Sequence, residues 1–213
     1  MERVDESASQ ILDLRHLELD ALKEVANIGA GHAATALNQL TDRRVMIDVP
    51  RVGVCPIEQA AAAVGNEDRI VAAILMQVLG DLTGRSLMMF DKTCAMQLVD
   101  MLLGRESGIT HVLGEIERST LKETANILTG AYLNGLSTLL GLMLIPSVPK
   151  LAVDVCGAML SSSHLDFGKQ NGVVIVLDTR FRFDPGDTGM SGHFVLLPDT
   201  ASLRVILKAV RVR

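Results

Sequence analysis

Two stretches decide how this chain reads: LELDALKEVANIGAGHAATALNQLTDRRVMIDVP at 17–50 and IERSTLKETANILTGAYLNGLSTLLGLMLIPSVP at 116–149. They align without a gap at a constant offset of 99 residues, Leu17 against Ile116 and Pro50 against Pro149. Glu18, Leu22, Lys23, Glu24, Ala26, Asn27, Ile28, Gly31, Leu37, Leu40, Val49 and Pro50 recur as Glu117, Leu121, Lys122, Glu123, Ala125, Asn126, Ile127, Gly130, Leu136, Leu139, Val148 and Pro149. A unit of about half the chain that occurs only twice predicts a pseudo-symmetric domain and not a repeat array.

Working outward, each copy opens with a long helical pattern, 17–40 and 116–140. Short strands follow at 44–49 and 142–148, then at 52–57 and 151–155. A buried strand at 69–79 turns through Gly80-Asp81-Leu82-Thr83-Gly84 into 85–90; its counterpart 172–183 turns at 185–189 into 192–197. Each half closes with a helix that an aspartate caps, 91–103 after Asp91 and 199–210 after Asp199. The fold expected is α+β: two α-β-β-β-α halves sharing a sheet with the long helices outside. Residues 1–15 read as an N-terminal tail and 16–213 as one domain, the first repeat about 16–112 and the second about 113–213.

At about 100° per residue, Leu22, Val25, Gly29, Ala33, Ala36 and Leu40 share the inward side of the first helix. Asp20, Glu24 and Asn27 form a stripe on the other side. The second helix turns Leu121, Thr124, Leu128, Tyr132 and Leu139 inward and Ser119, Glu123 and Asn126 outward. A solvated face is the bland explanation. Yet Asn is a mediocre helix former, and most other exposed positions differ between copies while Glu and Asn persist. From Asn27 the helix advances about 20 Å to Leu40 and the strand returns about 20 Å. Pro50 therefore ends level with Asn27, and Pro149 with Asn126. Each proline is expected to end the strand pairing and fix a rigid corner. Gly31 and Gly130 lie one turn beyond each Asn. A mid-helix glycine costs about 1 kcal/mol relative to Ala, and the return expected is a flat surface for another protein's backbone.

Composition narrows the classes. The 213 residues are 48% hydrophobic and 21% charged, with formal charge −5, no Trp, one Tyr and five Phe. That argues for a sizeable core and against a basic, base-stacking nucleic-acid face. No segment approaches the roughly 18 apolar residues of a membrane span, and the acidic start is no secretory signal, so a cytoplasmic protein is expected. Cys55, Cys94 and Cys156 are odd in number and widely spaced, which suits small core residues. The five histidines show no ligand spacing, and no metal site is expected. Gly29-Ala30-Gly31-His32-Ala33-Ala34 matches a dinucleotide-binding fingerprint, but that fingerprint needs a preceding strand and here a helix precedes it.

Asp20-x3-Glu24-x2-Asn27-x22-Pro50 and Ser119-x3-Glu123-x2-Asn126-x22-Pro149 resemble the doubled signature of the CheC family, whose relatives include CheX and FliY. The resemblance covers roughly residues 16–211. It implies a chemotaxis phosphatase that hydrolyses the aspartyl-phosphate of a CheY-type response regulator. By resemblance, Glu24 and Glu123 pair with the partner's lysine, while Asn27 and Asn126 enter its phosphorylation site and hold a water in line. Asp20, Ser119, Pro50 and Pro149 support them; the flat surface expected at Gly31 and Gly130 from their place on the stripe is then the surface for that partner. The Mg²⁺ belongs to the response regulator and no cofactor to this chain. CheC-type proteins also bind the receptor deamidase CheD. The rival reading is therefore a non-enzymatic adaptor or switch-type module, against which the Glu and Asn intact in both copies argue.

Overall fold

The computed structural model describes residues 16–42, 44–65, 67–165, 173–182 and 189–211. The expected tail at 1–15 and most of the turn at 185–189 lie outside them. The elements in order are α1 (His16–Thr41), β1 (Met46–Pro56), a 3₁₀ turn (Ile57–Gln59), α2 (Ala60–Ala63), β2 (Ile70–Gly80) and β3 (Gly84–Asp91). There follow α3 (Lys92–Leu102), α4 (Glu115–Leu140), β4 (Leu144–Pro146), β5 (Lys150–Val155), α5 (Cys156–Leu165), β6 (Val173–Arg182), β7 (Met190–Pro198) and α6 (Thr200–Arg211). The short helices α2, after β1 and the 3₁₀ turn, and α5, after β5, are additions to the expected order.

The strands form one antiparallel sheet in the order β1-β6-β7-β3-β2-β4, with β5 also on β2. The halves meet at β3 and β7 along the pseudo-two-fold. Each outer strand, however, pairs with the other half: β1 with β6, β4 and β5 with β2. One sheet face carries Ala72, Ile74, Met88, Phe90, Ile175, Leu177, Phe194 and Leu196 against α1, α3, α4 and α6. The opposite face packs Val71, Ala73, Leu87, Met89, Val174 and Val195 against α2 and α5. Both faces are buried, so β2 and β6 read as near-continuous apolar runs rather than alternations.

Helix faces and caps differ in part from expectation. On α1 the buried row is Leu22, Ala26, Gly29, Ala30, Ala33 and Leu37, while Leu40 is 60% exposed. The core stripe is rotated toward β1, which α1 also covers. On α4 Leu121, Thr124, Leu128 and Tyr132 are buried as expected. Asp199 does cap α6, its carboxylate accepting from the Ser202 N–H at 2.7 Å. Asp91 makes no side-chain cap; it pairs with Arg69 at 2.5 Å instead.

Pro50 does not end strand pairing either. The two expected strands, 44–49 and 52–57, are one strand with a bulge: Asp48 pairs with Arg180 and the next pair is Arg51 with Asp178. The extra residue reverses the alternation. Val45, Ile47 and Val49 before it, and Val52 and Val54 after it, thus all reach the same core. In the second half the equivalent stretch breaks into β4 and β5.

Between the halves, the loop after α3 is fastened to a buried carboxylate. Asp100 accepts from the N–H groups of Gly108 (2.9 Å) and Thr110 (3.1 Å) and from the Thr110 hydroxyl. Burial alone would raise its pKa, but these bonds hold the carboxyl below the ordinary range. Arg105 bridges the loop to Glu117 in the first turn of α4 at 2.8 Å. The three thiols are free; Cys156 is buried and Cys55 and Cys94 are half-buried. Burial pushes all three pKa values up. Among the described residues no helix is long and apolar enough to cross a membrane.

Candidate active site

The glycine fingerprint at 29–34 lies inside the unbroken helix α1, so the turn a dinucleotide would need does not exist. What α1 presents instead is its polar stripe. Asp20, Glu24, Asn27 and Gly31 are all exposed. At about 100° per residue, Glu24 and Gly31 form the crest, and Asn27 lies on the flank toward β1. The Asn27 carboxamide is tied to the backbone there. Its Oδ1 accepts from the Val49 N–H at 2.8 Å, and its Nδ2 donates to the carbonyls of Lys23 at 3.0 Å and Val49 at 3.5 Å. Val49 immediately precedes Pro50, which is exposed, so the expected levelling of Asn27 with Pro50 is realised.

The second site differs. On α4, Ser119 and Glu123 are exposed, whereas Asn126, Gly130 and Pro149 are half-buried. Val148, the counterpart of Val49, is 82% exposed. No hydrogen bond joins the Asn126 amide to another described residue. Neither Glu24 nor Glu123 forms an ion pair among the described residues, which leaves both carboxylates to an incoming cation.

The glycines separate into two kinds. A Cβ on Gly29 would stand 2.9 Å from the Ala131 carbonyl, and one on Gly135 3.1 Å from that of Val25. These two let α1 and α4 cross closely and antiparallel. A Cβ on Gly31 or Gly130 would meet nothing within 4 Å, so the fold itself asks for neither. From the crossing register, the two asparagines lie about 10 Å apart along the helix pair, on opposite flanks.

Chemically, each stripe offers a carboxylate for a cation and an amide able to orient water, one turn apart. Among the described residues, no three His, Cys, Asp or Glu side chains are grouped to hold a metal. Sequence reasoning missed the backbone partners of Asn27. The clue available was the 22-residue gap to proline, which puts Val49 beside the amide.

Comparison with known proteins agrees with the duplicated motif. The CheC-like family pattern matches residues 17–54 and 116–152, segments that contain both copies. The chain is 33% identical over 199 residues to the CheY-P phosphatase CheC of Bacillus subtilis, spanning 92% of this chain and 95% of that protein. It is 29% identical over 143 residues to the flagellar motor switch phosphatase FliY of the same organism, spanning 67% of this chain and 37% of FliY. The crystal structure of Thermotoga maritima FliY superposes with a TM-score of 0.77 at 21% identity, covering 94% of this chain and 98% of that one, which shows a common fold. With a third of the residues shared along nearly the whole length and both motif copies inside the matched segments, the chain belongs to the CheC-like family.

Proposed function

We propose that this protein is a phosphatase acting on the aspartyl-phosphate of a CheY-type response regulator in the cytoplasm. The observation that carries this is the exposed Asn27 beside the Glu24 carboxylate, which pairs with no cation among the described residues, on one helix stripe, with the same residues repeated on α4. The names of its similar proteins, CheC and FliY phosphatases, point the same way. An acyl phosphate is already activated, and its own domain supplies the Mg²⁺ that neutralises charge. The phosphatase has then to place a water. Glu24 or Glu123 docks on the partner's lysine, and Asn27 or Asn126 aligns the water with phosphorus. The water oxygen bonds to phosphorus as the bond to the aspartyl oxygen breaks. The carboxylate is regenerated, and phosphate leaves with the water's two hydrogens.

The test is phosphate release from a phosphorylated receiver domain. Asn27→Ala and Asn126→Ala each remove one site, and the double variant loses about 10²-fold or more, as when a preorganised hydrogen-bonding group is deleted. Glu24→Ala weakens binding of the phosphorylated receiver, read by calorimetry. Full activity in the Asn double variant would refute the water-positioning role. Binding without any hydrolysis in the unaltered protein would favour the adaptor reading, including a CheD-binding role.

A further inference from the structure

We infer that the Val49–Pro50 corner is the positioning element of the first site: it fixes the Asn27 carboxamide so that one Oδ1 lone pair remains to accept a proton of the attacking water. This rests on the phosphatase reading and adds which atom of Asn27 works and what aims it.

The corner begins with proline. Pro50 has no N–H to give to a ladder, and β1 bulges there, leaving Val49 and Pro50 without residue partners on β6. Val49 is 1% exposed, so the strand is pinned into the core at a residue with no partner in the register on β6. Asn27 bonds both backbone groups of Val49, its Oδ1 accepting from the N–H and its Nδ2 donating to the carbonyl. A carboxamide has two hydrogens and two acceptor positions. The hydrogens go to Lys23 and Val49, and one acceptor position goes to the Val49 N–H. Among the described residues that leaves a single acceptor position, on a residue that is exposed. A water bound there donates its O–H to Oδ1 and keeps its own lone pairs for phosphorus.

The second copy is the internal contrast. It too has one residue more than its partner strand, Pro146 pairing with Val78 and Lys150 with Leu75. There Ser147 fills the gap: its N–H donates to Gln77 O and its hydroxyl accepts from the Gln77 N–H, both at 2.9 Å. Val148 is left in solvent and Asn126 without this hold. The same motif thus yields a preorganised amide at the first site and an unheld one at the second.

The test isolates the first site with Asn126→Ala and adds Pro50→Ala, which restores an N–H and releases the fixed φ of the corner while the bulge remains. With a phosphorylated receiver, kcat is expected to fall about tenfold, the equivalent of one lost hydrogen bond, with KM unchanged. In the free protein, hydrogen exchange at the Val49 N–H is expected to accelerate about tenfold in Asn27→Ala. The Val148 N–H should not respond to Asn126→Ala. Unchanged kcat in Pro50→Ala, or Val49 exchange indifferent to Asn27→Ala, would overturn the positioning role alone. If the Asn126→Ala chain shows no hydrolysis above the double Asn variant, the phosphatase reading of the first site falls and this inference with it.

Discussion

Asp100 is fully buried, and its charge is tolerated because Gly108 and Thr110 surround it with donors. Replacing it by Asn removes the charge and turns one acceptor into a donor that faces N–H groups. Asp100→Asn should cost about 1–3 kcal/mol at neutral pH, the range for a disrupted bond to a buried charged group. The folded carboxyl titrates below its ordinary value. Its contribution is therefore complete above the unfolded pKa of about 3.9 and is lost as pH falls through the folded value. The gap in Tm between wild type and variant should be full at pH 7 and narrow in melts taken below about pH 4. Asn27 and Asn126 make the complementary point. Two identical residues at the same motif position differ because one meets the backbone of Val49 and the other meets no such group among the described residues.

At the scale of elements, the glycines of α1 divide by what surrounds them. Gly29→Ala would force a Cβ against Ala131 and Tyr132 at the crossing with α4, and should destabilise by about 1–3 kcal/mol, as overpacking does. Gly31→Ala meets open space and should stabilise by up to about 1 kcal/mol through helix propensity. If Gly31 faces the partner, the same substitution weakens receiver binding while Tm rises. Melts and calorimetry on both variants check the opposite signs; tighter binding by Gly31→Ala would remove the partner-surface role. The bulge in β1 follows the same logic. One extra residue at Pro50 shifts the alternation, and the valines before and after it both reach the core.

For the whole molecule, the pairing of β1 with β6 and of β5 with β2 interlocks the halves. A fragment of residues 1–112 would leave β1 with no partner strand and β3 with an open edge where β7 belongs. Such a fragment should remain unfolded by circular dichroism and gain structure only when 113–213 is added. A cooperative melt of either fragment alone would show the halves to be independent. A duplication whose outer strands are exchanged keeps both sites on one rigid pair of crossed helices, and each site's backbone environment can then drift separately.

Much of this was written in the chain. The repeat, the long helices, the exposed Asp20–Glu24–Asn27 stripe and the levelling of Pro50 with Asn27 followed from periodicity and rise per residue, because those depend on local geometry; Asn126, expected outward, is half-buried. Leu40 lies outside the buried row and Ala26 and Ala30 lie inside it, since the burial of α1 is set by β1 as well as by the sheet face beneath it. Asp91 was taken from its cap by Arg69, a partner 22 residues away. The hold on Asn27 and its absence at Asn126 were decided only in three dimensions. Both depend on where a strand's unpaired peptide comes to rest, and hydrogen bonds between distant backbone and side chain leave no period in the sequence.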